Sequence, residues 1–183
     1  MHYTLEQALA GSTAPGEILE RLVLLDVPHV DLEGHEATGQ LVVHRALADE
    51  VREIFDRIHD LRFPIAQMVP TVAYDWDDDR SMAANNTSSF CYRTVAGTKR
   101  LSAHSVGAAI DINPAFNPFD SLEGLRPEGA VHDLSRTGTF HRDHAVVKLF
   151  EGYGWFWLGT RLANTDRHHF EKIGYRDSIA LAD

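Results

Sequence analysis

The sequence predicts a single α+β domain, with a central, mostly antiparallel sheet flanked by helices. Three observations predict it. Strand-like and helix-like segments do not alternate regularly, which argues against a doubly wound parallel sheet. One segment, over 47–61, carries a strong 3.6-residue period. The 183 residues, 44% hydrophobic and 24% charged, have the size and composition of one ordinary globular domain. A chain of this length buries about 70% of its unfolded surface and needs no staples to fold.

In chain order, a short helix over 5–10 is stopped by Gly11. From 21 to 30 the apolar residues run together and then alternate around Asp26 and Asp31, as one strand or two, with Pro28 marking a sheet edge. Leu41-Val42-Val43 is a further short strand after the turn residue Gly39. The clearest helix aligns Leu47, Val51, Ile54, Phe55, Ile58 and Leu61 on one face, and Pro64 ends it. Residues 65–74 read as a buried strand, and the acidic, Asn-rich stretch 75–89 as solvated. The small-residue run 107–112 is a strand holding one buried acid, Asp111. Residues 113–139, with Pro114, Pro118 and Pro127, form a long surface excursion of the kind that is usually functional. A second helix over 143–151 turns Val146, Val147, Leu149 and Phe150 inward and is closed by Gly152 and Gly154. The aromatic segment 153–158 and a strand around 169–173 complete the pattern. No repeat or linker divides the chain, so the domain is expected over 21–183, with 1–20 as an N-terminal extension.

Composition excludes several function classes. The formal net charge of −10 argues against the basic patch of a nucleic-acid binder. Apolar runs such as 22–25 are far short of the roughly 20 residues that cross a bilayer, and no membrane insertion is expected. The first residues lack the basic and apolar regions of a signal peptide. Cys91 is the only cysteine, which excludes an internal disulfide and a Cys-rich zinc site. The oddity is eleven histidines.

Three segments carry chemistry, each with an ordinary alternative. In Ser102-Ala-His104-Ser-Val-Gly107-Ala-Ala-Ile-Asp111-Ile, the His and Asp reach one metal ion if a turn at Gly107 redirects the chain. An acid between Ile110 and Ile112 needs a partner to offset desolvation. The alternative is that Asp111 caps a turn or pairs with an arginine. In Asp166-Arg-His168-His169-Phe-Glu171, a carboxylate three residues before a histidine lets a metal ligand and a general base share a cleft. Either adjacent histidine fits the ligand role; in a strand, His169 and Glu171 share a face and His168 points away. The run 85–93 delivers Arg93 beside aromatic residues, either for a substrate carboxylate or oxyanion or for a structural salt bridge. Two histidines and one aspartate make a three-ligand site with an open position, the arrangement of catalytic zinc.

The order Ser-x-His-x-x-Gly-x-Ala-x-Asp-Ile followed by Asp-x-x-His-Phe-Glu resembles the zinc peptidases of peptidoglycan, the D-Ala-D-Ala carboxypeptidases and L-alanyl-D-glutamate endopeptidases, whose fold is shared with the hedgehog N-terminal domain. The resemblance extends over 22–175, taking in Gly39-Gln-Leu-Val-Val, Phe63-Pro64-Ile65, Ser81-Met82, Asn85-Asn86-Thr87-Ser88, Asp111-Ile-Asn113-Pro114, Asn117-Pro118 and Gly154-Trp155-Phe-Trp157. It implies one zinc per chain held by His104, Asp111 and His169, with Asp166 as the catalytic carboxylate. It also implies Arg93 as the residue that steadies substrate and tetrahedral intermediate, and Ser102 as a small hydroxyl beside the substrate. Two departures stand out. Leu158-Gly-Thr-Arg161 replaces a Gly-Gly and Trp pattern, and His168 stands where relatives commonly have another residue.

The resulting expectation is a monomeric zinc metallopeptidase cleaving peptidoglycan stem peptides, its cleft walled on one side by 113–139. Two rivals are a zinc-stabilised binding module without turnover and a metal-dependent hydrolase for an unrelated small substrate. Without a leader, the chain is expected to be made in the cytoplasm and to act at the cell wall by an unassigned route, as phage-type lysins do through a membrane pore, or in peptide recycling. His141 and His144 are expected to be exposed or capping. His2, His29, His35, His44, His59 and His132 have no partner legible in the sequence. The acidic run Asp75 to Asp79 lacks a calcium-loop pattern and reads as solvated.

Overall fold

A long antiparallel hairpin opens the fold, in a computed structural model that describes residues 2–95 and 97–175. Its strands, β1 (Leu22–Val30) and β2 (Glu36–His44), pair from Leu22 with His44 to Val30 with Glu36. Asp31 closes the turn by accepting from the backbone N–H groups of Glu33 and His35. Among the described residues β1 ladders with β2 and otherwise makes one bridge, from Val30 to Pro64, so Pro28 lies on an edge where a missing N–H costs no ladder bond. Ahead of it, α1 (Leu5–Leu9) carries a capping box between Thr4 and Gln7, and a short α2 (Gly16–Leu19) follows. Ala8, Ala14 and Ile18 join the main core, so residues before 21 help to close it.

The amphipathic segment is α3 (Ala48–Asp60), which packs across β1 and buries Val51, Ile54, Phe55 and Ile58 completely. A fully buried side chain of this kind contributes roughly 1.5–3 kcal/mol, so one apolar face suffices to seat the helix. The strand expected over 65–74 is a correction. Only β3 (Gln67–Met68) is extended, and from Pro70 the chain coils into a 3₁₀ turn, Thr71–Tyr74. The stretch 75–89 also departs from expectation. It holds α4 (Asp78–Ala83), capped by the Asp77 side chain, and then β4 (Asn86–Thr87), fully buried and parallel to β3. Burial is tolerated because Asn86 is saturated, accepting from Val69 N–H and donating to Val69 O and Ser81 Oγ.

The remaining strands form the platform of the site. β5 (Ala109–Asp111) pairs with β9 (His169–Lys172), which pairs with β8 (Trp155–Trp157), all antiparallel. Between them run the exposed hairpin of β6 (Phe119–Ser121) and β7 (Gly124–Arg126) and the helix α5 (Ala145–Gly152). Phe170 anchors β9 by stacking on Phe150 at 4.2 Å with no exposed surface. The α+β expectation stands, whereas its single central sheet does not. Among the described residues the strands divide into four small sheets of two, two, three and two strands. Among the described residues no helix is long and apolar enough to cross a membrane.

Candidate metal centre

Gly107 makes the site geometrically available. It adopts φ +66°, and a Cβ there would lie 2.6 Å from the backbone nitrogen of His44. Its own carbonyl accepts from that same N–H at 2.9 Å. The chain therefore turns sharply from the 3₁₀ segment Ala103–Val106 into β5. Ser102 caps that segment, its Oγ accepting from the His104 N–H at 3.3 Å.

His104 and Asp111 emerge on either side of the turn, and His169 reaches them through strand pairing, as the register partner of Asp111. Nδ1 of His169 lies 2.9 Å from Asp111 Oδ1 and 3.0 Å from Nε2 of His104. Nε2 of His104 lies 3.2 Å from Asp111 Oδ2. All three residues are buried, and their ligand atoms fall within 4.8 Å of one another. Among the described residues Asp111 thus pairs with imidazoles, neither with an arginine nor as a turn cap.

The outer partners select which ring nitrogen faces inward. His104 Nδ1 meets the Ser89 carbonyl, which can only accept, so the proton sits on Nδ1 and the Nε2 lone pair faces the centre. His169 Nε2 faces a Glu171 oxygen at 3.4 Å, leaving Nδ1 inward. Two lone pairs and a carboxylate converging on one point form an arrangement that a cation completes. The donor set fits zinc, with no cysteine required. The electrostatics agree. Burial disfavours the His169 imidazolium, but Asp111 above all, with Glu171 and Asp166, outweighs it and pushes the pKa up to about 10. Burial likewise opposes ionisation of Asp111, yet His104, His168 and His169 hold its carboxyl well below the usual range. The pocket stabilises positive charge. Cys91 takes no part, its thiol pushed up to about 12 by burial and by Asp78.

The other expected residues gather around this centre. Asp166 is mostly buried, its backbone bridged to Phe119. The excursion 113–139 borders it through Asp120 N–H to Thr165 O at 2.8 Å and Arg167 N–H to Pro118 O at 3.4 Å. Arg93 forms the structural salt bridge that the sequence allowed, to Asp78 at 2.8 Å. Burial lowers its pKa, but Asp78 and then Asp111, with a smaller share from Asp166, raise it on balance, so the guanidinium also lies in the field of the centre. Strand alternation would turn His168 away only if the strand included it, and its Nε2 lies 2.9 Å from Asp166 Oδ1 and 3.8 Å from Asp111 Oδ2. β9 begins at His169, so strand alternation does not govern the residue before it.

Sequence reasoning missed three supporting groups. Asp78 sits in an acidic run that reads as solvated, and the carbonyls of Ser89 and Asn117 are backbone groups with no residue-type signal. Six of the eight remaining histidines have structural work. His144 caps α5 and His44 caps the turn before α3. His35 pairs with Asp31, His59 with Glu36 and His2 with Asp26, and His132 meets the Phe140 carbonyl.

Residues 96–172 match a family model described as D-alanyl-D-alanine carboxypeptidase. That span includes Ser102, His104, Asp111, Asp166, His168 and His169, and stops short of Arg93. No curated protein and no solved structure matches the chain.

Proposed function

We propose that this chain is a zinc-dependent peptidase of peptidoglycan stem peptides, of the D-Ala-D-Ala carboxypeptidase or L-Ala-D-Glu endopeptidase type. One observation carries the reading. A buried His104–Asp111–His169 group with inward-facing donor atoms has a further carboxylate, Asp166, in contact with its immediate neighbour His168. The family match over the same residues supplies the substrate class.

His104, Asp111 and His169 would hold the ion. Bound zinc polarises a carbonyl and acidifies water. Asp166 accepts a proton from the attacking water and returns it to the departing amine. Arg93, oriented from behind by Asp78, offers its remaining donors to a substrate carboxylate or the developing oxyanion. Ser102 keeps the His104 turn in place beside the substrate. The segment 113–139 forms one wall of an open cleft suited to a cross-linked polymer.

The test is metal analysis of the purified protein, with mass spectrometry of products from defined stem peptides and from whole peptidoglycan. Zinc-dependent cleavage at one peptide bond is expected. Stoichiometric zinc without release of any product would replace the enzyme by a binding module.

A further inference from the structure

We infer that His168 is a positioning residue for Asp166, clamping one oxygen of the general base so that the other is free to work; the inference rests on the peptidase reading above. The clamp has a fixed end. His168 donates Nδ1–H to the backbone carbonyl of Asn117 at 2.8 Å, and the ring is 3% exposed. Asn117 cannot yield, because its side chain is itself saturated. Nδ2 donates to the carbonyls of Ile112, Asn113 and Gly138, and Oδ1 accepts from Phe140 N–H at 2.6 Å. The backbone of His168 is tied to the residue that follows β5 as well, its carbonyl accepting from Ile112 N–H at 3.0 Å. The ring is therefore held from both its side chain and its main chain.

The working end is Nε2, 2.9 Å from Oδ1 of Asp166. That oxygen is buried and has no hydrogen bond of good geometry among the described residues, so the close but off-line Nε2 of His168 is the charged neighbour that holds it. The Asp166 side chain as a whole keeps 19% of its surface exposed. Tethering Oδ1 inward therefore limits rotation of the carboxylate and leaves Oδ2 to face water and peptide. The converging donor group is His104, Asp111 and His169; His168 stands beside it, its Nε2 3.8 Å from Asp111 Oδ2. A supporting contact of this kind gains rate by preorganisation, and losing one costs roughly 10- to 100-fold.

Two variants test this. His168→Phe keeps the ring without a polar edge, and His168→Gln places an amide near the Nε2 position. For His168→Phe we expect kcat on a defined stem peptide to fall roughly 10- to 100-fold with KM and zinc content unchanged. His168→Gln should recover most of that loss. A readout independent of turnover is the urea midpoint of the metal-free proteins in a double-mutant cycle with Asp166→Asn, where the two shifts should be non-additive. Wild-type kcat in His168→Phe, no recovery in His168→Gln, loss of zinc in either, or additive midpoint shifts would each overturn the inference. An inactive wild-type protein with a non-additive cycle would instead sink the peptidase reading and leave the clamp standing.

Discussion

Asp111 and His169 are cross-strand partners whose side chains meet at 2.9 Å inside the protein, so the pairing of β5 with β9 is also the assembly of the metal centre. Alanine at His104, Asp111 or His169 removes one donor of three and should leave little bound zinc, whereas His168→Ala should keep its metal. Metal analysis of the four purified variants decides it. Near-normal zinc in both His104→Ala and Asp111→Ala would remove the site. Zinc lost from His168→Ala but kept by His169→Ala would exchange the two neighbours.

Gly107 should be intolerant of even a methyl group. A non-glycine residue at positive φ costs about 1–2 kcal/mol, and the added carbon would also press on the backbone of Val43 and His44. Gly107→Ala should therefore lose at least that much, roughly 2–8 °C in melting temperature for a chain of this size, together with zinc affinity. An unshifted melting curve with normal metal content would show that the turn can relax.

The candidate ligand set was legible as what the resemblance of two short motifs implies; the apolar neighbours of Asp111 said only that the acid needs a partner, and spacing left His168 and His169 undecided. Helix α3 was legible because its period is local. The division into four sheets was not, because strand pairing is decided by contacts distant in sequence, as between Gln67 and Asn86. Pro70 punctuated the stretch 65–74, yet the apolar composition around it resembled a continuous strand. The supporting shell was least visible. A carbonyl such as that of Ser89 or Asn117 belongs to every residue type, and Asp78 looks like any surface acid until Arg93 is placed beside it.

Stability should decline on the acid side partly through histidines remote from the metal centre. Burial, aided by His141, lowers the pKa of His144, whose Nδ1 must stay unprotonated to accept from Val146 N–H at α5. Burial also lowers that of His29, against the opposing pull of the Val27 backbone and Asp31. In each case the unfolded chain binds the proton more readily than the folded one. Stability is therefore fully present above the unfolded value of 6.5 and is lost as pH falls from there toward the depressed folded value. Asn at 144 retains a capping oxygen that does not titrate in this range. The drop in urea midpoint between about pH 7.5 and 5.5 should be smaller in His144→Asn than in the wild type. Equal drops would dismiss the capping histidine as an acid-sensitive element.

Arg93→Lys should keep fold and zinc and lose most activity. Lysine preserves the charge that Asp78 holds, yet it cannot use one donor on Asp78 while presenting others in a planar fork. Kinetics on a defined stem peptide, beside circular dichroism and metal content, test this. Wild-type turnover would return Arg93 to a purely structural ion pair.

Asp166 separates the enzyme from a zinc-stabilised binding module. Asp166→Asn changes little in volume and leaves His104, Asp111 and His169 untouched, so fold and zinc content should survive. The amide can still approach His168 Nε2, where Oδ1 now lies at 2.9 Å, so the packing of the pocket is kept. What disappears is a group able to take a proton from water and deliver it to the leaving amine. General acid–base groups contribute about 10²- to 10⁴-fold, so turnover should fall at least 100-fold. KM should move little if the carboxylate acts on water rather than on the bound peptide. The measurement is kcat and KM for both proteins on one defined stem peptide at matched zinc content. Undiminished turnover with intact metal would take Asp166 out of the mechanism and direct the search for the base to Glu171, the other carboxylate in contact with the ligand His169.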